Sequence, residues 1–304
     1  MNKVTIEDIE CNTGYKIENK NLLNKINSSE LNYEYLTFDE FQYYILDFIK
    51  ILKQDLTRAG KSRLTQWENG WNENLEEFRQ TKNVNSLIPK YHKKHKIARL
   101  NSKIINTYSA DFDYHIHSYF VDSVLLHYIK DYNKIFEFGC GTGYHLFRLN
   151  EYHNDKQYCG LDWTTASQDN IKCCSNILDI TNIQGKNFDY FNPDYTVDIK
   201  DSLIYTIASL EQIGWNYTEL LKYIINKKPA LCIHFEPIHE LLDKDDLMDY
   251  LTTSYFRKRD YLSNYLNTLR VLEKQNKIKI IEAKRLNYGS KFVEGHSLII
   301  WKPL

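Results

Sequence analysis

Three glycines at alternate positions, Gly139, Gly141 and Gly143, sit in the stretch "IFEFGCGTGYH", just after an apolar run that carries one acid, Glu137. A glycine-rich turn between a strand and a helix lets backbone come close to a ligand and presents free N–H groups at the helix start. The dinucleotide fingerprint places its third glycine three residues after the second. Here that position is Tyr144, and the spacing is G-x-G-x-G, which argues against an NAD site. A second acid, Asp162, closes the apolar stretch of "GLDWT", 19 residues beyond Gly143. An acid there can accept both hydroxyls of a ribose, and the plain structural alternative is a cap for the following helix. Metal chemistry has less to draw on. His115 and His117 in "YHIHSYF" are two apart, a spacing for a strand-borne pair, but no further ligand set accompanies them, and the six cysteines form no C-x-x-C pair.

These residues need a scaffold, and the chain changes texture to provide one. Residues 1 to about 30 are polar and Asn-rich with weak periodicity, and from about 38 to 130 the pattern is helical with no obvious strand. "FDEFQYYILDFIKILKQDL" puts Phe38, Phe41, Ile45, Phe48 and Leu52 near one face, with Thr37 or Asp39 as cap. Trp67, Trp71, Leu75 and Phe78 recur at helical spacing, and "YFVDSVLLHYIK" gives one more helix. From 134, short strand-like runs alternate with helical stretches. The strands are "KIFEF", "QYCGLD", "NFDYF", "SLIYTIAS" and "PALCIHF"; helical patterns cover 144–152, 163–178 and 215–226. Such alternation implies a parallel sheet with helices on both faces. After a helical segment at 243–274, "KIKIIEAKRL" and "HSLIIWKPL" are joined too closely for a helical crossover, so they form an antiparallel pair at the sheet edge. The expected fold is α/β: a doubly wound, mostly parallel seven-stranded sheet with an antiparallel edge strand. Residues 1–115 form a mainly helical extension that covers the substrate, and residues 116–304 form the ligand-binding domain.

Composition narrows the function classes. A net charge of −1 argues against a general nucleic-acid binder. Scattered cysteines, no apolar signal core and no stretch of transmembrane length point to a soluble, cytoplasmic protein without a membrane partner. Twenty-four tyrosines are more than a core alone needs, so some can line an aromatic pocket.

"EFGCGTG", "GLDWT", "FDYF" and "ASLEQIG", in this order, resemble the class I S-adenosylmethionine-dependent methyltransferases over roughly 115–304. The resemblance implies S-adenosylmethionine as cofactor and a Rossmann-like fold. It implies that Gly139, Gly141 and Gly143 pass close to the methionine part, with Glu137 near its amino group. Asp162 would hold the ribose, Trp163 would pack on the adenine, and Asp189 would accept from the adenine amine with the Tyr190 backbone beside it. No metal is required by that chemistry, because the methyl on a sulfonium is already electrophilic and the enzyme mainly has to hold an acceptor in line with it.

Ligands in open α/β sheets bind at the carboxyl ends of the strands. The fourth and fifth strands end in "ASLEQIG" and "CIHFEPIHE", which makes Glu211, Gln212, His234 and Glu236 the acceptor-side candidates, with Glu211, His234 and Glu236 as catalytic residues. For His234 the alternative is a satisfied core histidine. Anionic groups there would favour an amino acceptor. The activity expected is N- or O-methylation of a small-molecule acceptor. The alternatives are a non-catalytic cofactor-binding or interaction module and a nucleic-acid methyltransferase. "FNPDY" at 191–195 is similar to the N-P-P-Y motif of nucleic-acid amino-methyltransferases, but it follows the third strand, carries Asp194 in place of proline, and reads as a turn. The basic run "PKYHKKHKIAR" at 89–99 reads as a solvated face that could meet a phosphate.

Overall fold

The computed structural model describes residues 1–304 except 91, 93–95, 110 and 295. Of the basic run at 89–99, residues 91 and 93–95 therefore lie outside the described residues. In chain order the first part comprises β1 (Asn2–Lys3), α1 (Ile6–Thr13), α2 (Lys20–Ser28), β2 (Asn32–Tyr35), α3 (Phe38–Leu52), α4 (Leu64–Thr81), β3 (Ile97–Leu100) and β4 (Lys103–Thr107). Next come α5 (Phe112–Ile129), β5 (Lys134–Phe138), α6 (Tyr144–Asn150), β6 (Gln157–Asp162), α7 (Thr165–Leu178), β7 (Ile183–Asn187), β8 (Leu203–Ile207), α8 (Thr218–Lys227) and β9 (Leu231–Glu236). The chain closes with α9 (Leu247–Lys258), α10 (Tyr265–Lys274), β10 (Ile278–Arg285), β11 (Tyr288–Ser290) and β12 (Ser297–Pro303).

Seven strands form the main sheet in the order β10-β12-β9-β8-β5-β6-β7. β5 through β9 pair in parallel; α6, α7 and α8 form the crossovers from β5 to β6, β6 to β7 and β8 to β9, while residues 188–202 join β7 to β8 without a helix. β12 runs against both β9 and β10, so the antiparallel pair closes one edge, with β10 outermost. The expected third strand, "NFDYF", is displaced. β7 is Ile183–Asn187, and its register on β6 ends at the Asp162–Asn187 pair. Beyond it Asp189 turns back, its Oδ1 accepting from the Phe191 N–H at 2.9 Å, so the chain leaves the sheet there.

The N-terminal part holds strands that the sequence does not announce. β1, β2, β4 and β3 form a second sheet, completed by β11 from the far end of the chain. Helices still predominate in this part, and α1, α2 and α3 are each opened by a local signal. Thr5 and Thr37 make reciprocal capping boxes with Asp8 and Glu40, and the Asn19 side chain caps α2. On α3 the buried stripe is Tyr44 and Phe48, whereas Phe38, expected on that face, is 74% exposed in the first turn.

α5 explains how the two sheets join. It is buried on every side from Ile116 to Leu126, polar residues included, and one continuous core runs from Val4, Ile9 and Leu22 through Ile116, Phe120 and Val124 to Ile135, Leu298 and Ile300. The boundary expected at 115/116 falls inside α5, and β11 returns to the N-terminal sheet, so the two parts share one interior.

Candidate functional site

A cleft of about 780 Å³, counted out to its mouth, opens at the carboxyl ends of β5, β6 and β8. Its floor is the turn after β5. Gly139, Gly141 and Gly143 have φ of 67°, 54° and 77°, the left-handed region that favours glycine. The three serve different ends. A Cβ on Gly139 would stand 2.4 Å from Ser209 Cβ, and one on Gly141 would stand 3.0 Å from the Trp71 ring. Both line the cleft. Gly143 does not: its absent side chain makes room for Ile171 Cγ1, 2.5 Å away, so this glycine lets α7 pack against the start of α6.

Asp162, buried at the end of β6, ties the site together. Its Oδ2 accepts from the Gly141 N–H at 3.0 Å, and its Oδ1 accepts from the Thr164 N–H at 2.9 Å and from the Thr164 hydroxyl at 2.8 Å. The capping role and the cleft-facing role coexist. Burial raises its pKa, against those hydrogen bonds, which pull it down. A carboxylate offers about four lone-pair sites, so about one remains for a ligand hydroxyl. Trp163 follows, its ring 6.0 Å from that of Phe191 across the mouth. Glu137 lies beneath the turn, accepts from the Tyr205 hydroxyl at 3.1 Å, and is held well above the usual carboxylate range by burial. The Tyr190 side chain points inward, its ring stacked on Phe138 and its hydroxyl 3.0 Å from Ser209 Oγ.

Of the expected ligand-side residues, Glu137, Gly139, Gly141, Asp162, Trp163 and Tyr190 therefore meet in the cleft. Asp189 is not among its walls, because its carboxylate closes its own turn. The Asp194 carboxylate likewise holds the turn at Thr196, as the sequence leads one to expect of "FNPDY".

The acceptor-side candidates fare differently. His234 is fully buried. Its Nε2 accepts from the Trp301 indole N–H at 2.8 Å and faces the Tyr265 hydroxyl at 3.1 Å, and its Nδ1 faces Thr206 Oγ1 at 2.9 Å. Burial lowers its pKa to about 3. It is a satisfied core histidine. Glu236 is also fully buried, and it accepts from the N–H groups of Ser209, Leu210 and Glu211 at 3.0, 3.0 and 3.2 Å. It anchors the loop after β8. Glu211 is buried behind that loop and takes a hydrogen bond from Gln212 at 2.6 Å; burial, then the Glu236 charge, push its pKa up to about 8. Only Gln212 of this set lines the cleft.

The remaining walls come from residues that the pattern of the sequence assigns to packing. Trp67 and Trp71 stack with ring centres 5.3 Å apart, and they line the cleft with Pro89, Tyr144 and His145. α4 carries both indoles and is strapped across the site. The Glu68 carboxylate accepts from the first free N–H groups of α7, at Thr165 and Ala166, both at 2.9 Å. Asn170 donates to the Trp71 carbonyl at 2.8 Å, Thr142 donates to the Leu87 carbonyl at 2.6 Å, and the Gly60 N–H donates to the Gln212 carbonyl at 2.8 Å.

The strand order of the main sheet, with β12 antiparallel and inserted next to the edge, decides the architecture. This is the Rossmann-like methyltransferase fold. No family model matches the chain, and no curated protein matches its sequence. Among solved structures, it is similar to a SAM-dependent methyltransferase from Aquifex aeolicus at 14% identity, over 56% of this chain and 82% of that one, with a TM-score of 0.38. It is also similar to the [4+2]-cyclase SpnF at 12% identity, over 61% and 80%, with a TM-score of 0.46. A third is the O-methyltransferase NcsB1 from neocarzinostatin biosynthesis, in complex with S-adenosylmethionine and 2-hydroxy-5-methyl naphthoic acid, at 13% identity, over 79% and 70%, with a TM-score of 0.42. Likeness at such identities concerns the fold alone. No helix among the described residues is long and apolar enough to cross a membrane.

Proposed function

We propose that the protein binds S-adenosylmethionine at the turn after β5 and transfers its methyl group to a small-molecule acceptor. The observation that carries this reading is the junction of Gly141 and Asp162, where a side-chain-free turn and a buried acid from the next strand meet in one cleft. The chain's residues fit the cofactor. The lone pair left on Asp162 accepts from a ribose hydroxyl. Trp163 and Phe191 offer aromatic faces for a purine. Gly139 and Gly141 leave backbone within reach of the amino-acid part, and Glu137, beneath them, offers a carboxyl on the amino-group side. The bound cofactor supplies an electrophilic methyl on sulfur.

On the acceptor side, Trp67, Trp71, Tyr144 and His145 hold and orient the substrate and exclude water, the main task when the methyl donor is already activated. A strap with two indoles across the cleft suits a small, largely apolar acceptor better than a polymer, and the near-neutral chain offers no excess of positive charge for nucleic acid. With His234, Glu236 and Glu211 engaged away from the cleft, none of these three acceptor-side candidates is left to select a cationic amine, so hydroxyl and amino acceptors stay equally open. Calorimetry with S-adenosylmethionine, S-adenosylhomocysteine and NAD tests the reading. Both sulfur compounds should bind, with Asp162→Ala weakening them by about 1–3 kcal/mol through the lost charged hydrogen bond. Binding of NAD alone refutes it.

A further inference from the structure

α3 carries an apolar face that the described residues leave open. Its inward side is accounted for, with Tyr44 and Phe48 buried against Ile104 of β4 and Leu251 of α9. Its outward side exposes four large apolar residues: Phe38 at 74%, Tyr43 at 73%, Leu46 at 53% and Ile49 at 37%. The helix itself does not need them, since a capping box opens it and the buried stripe holds it down. At about 100° per residue, Tyr43 and Ile49 flank Leu46 by about 60° on either side, and Asp39, Lys50 and Lys53 lie within about 40° of it. One exposed apolar side chain is ordinary, but a row of them on one face marks an interaction site.

We propose that this face pairs with the same face of a second copy of the chain, the two α3 helices running antiparallel about a two-fold axis at Leu46. The positions suit such an axis. Asp39 and Lys53 stand seven residues before and after Leu46, and Tyr43 and Ile49 stand three before and after it. A two-fold axis there sets Leu46 against its own copy. It also sets Tyr43 against Ile49 and Asp39 against Lys53, each pair occurring twice.

The charges select this partner and this direction. Two acids of α3 are taken within the chain, Glu40 by its capping box and Asn106, and Asp47 by Lys291. Asp39, Lys50 and Lys53 are exposed and form no ion pair with the described residues. A parallel pair would set Asp39 on Asp39 and Lys53 on Lys53, and like charges so placed reject that alignment. The antiparallel pair brings the acidic first turn of each helix to the basic last turn of the other, and it sets opposite ends of the two helix dipoles side by side. A partner of one charge sign would meet both signs here, at opposite ends of the face. A helix of 15 residues is about 22 Å long, so the contact is small and the dimer weak. Apolar burial supplies the attraction and the charges set the register. The pairing holds whether or not the protein transfers methyl groups.

The test is sedimentation velocity of the full chain from about 1 to 500 µM, a span that covers weak association. Wild-type protein should pass from monomer to dimer within it. Leu46→Glu sets two like charges on the axis and should leave a monomer throughout. Asp39→Lys and Lys53→Asp should each weaken self-association by about tenfold, because two attractive pairs become repulsive. Mixing those two variants should restore a dimer, since each then offers the charge that the other lacks. Trp215→Gln, which removes an exposed indole elsewhere, should associate as wild type does. All five positions are exposed, and circular dichroism checks that each variant folds. A wild-type chain that stays monomeric over the whole range overturns the proposal. So does a dimer that Leu46→Glu leaves intact, or one in which the mixed charge variants associate no better than each alone.

Discussion

Glu236→Gln separates a loop anchor from a catalytic acid. Burial raises the Glu236 pKa from 4.5 to about 7, against three backbone N–H groups that pull it down. A carboxyl whose folded pKa lies above its unfolded value contributes stability that is fully present below pH 4.5 and is lost as the pH rises through about 7. Over that interval, at about 1.36 kcal/mol per pH unit, the loss is about 3 kcal/mol. The glutamine amide cannot titrate, so wild-type stability minus variant stability should fall by about 3 kcal/mol from pH 4.5 to about 8. Glu211 reinforces the sign: without the Glu236 charge its own raised pKa relaxes, and the variant loses still less stability with rising pH. A pH-independent offset of about 1–3 kcal/mol accompanies this, because the glutamine amide turns an N–H towards the Glu211 N–H that the carboxylate accepted. Urea unfolding of both proteins across this range measures the difference. Parallel stability curves, or loss of turnover with stability and pH dependence intact, would refute the anchoring role.

Two further outcomes follow from the floor and roof of the cleft. Gly139→Ala should cost about 1–2 kcal/mol for its left-handed backbone and about 1–3 kcal/mol more because Ser209 Cβ cannot retreat from a contact of 2.4 Å, as urea midpoints will register. Trp71→Ala should speed cofactor association in stopped-flow fluorescence, because the indole lies in van der Waals contact with the position above Gly141 and the strap must yield to admit a ligand; an unchanged rate would show that entry bypasses it.

What the sequence disclosed was local chemistry. The turn at 139–143, Asp162 and Trp163 stand within about one crossover of each other, and a glycine turn can be read without knowing what covers it. Strand alternation likewise placed His234 and Glu236 on one face of β9, but it could not say what packs on that face. Trp301 and Tyr265 arrive from 67 and 31 residues downstream to satisfy His234, and the turn after β8 consumes the lone pairs of Glu236. The same limit hid the roof. A spacing of four between Trp67 and Trp71 describes a helix face, and it reads alike whether that face meets a core or a ligand. The grip of Glu68 on the start of α7, with Asn170 holding the Trp71 carbonyl, sets this face over the glycine turn.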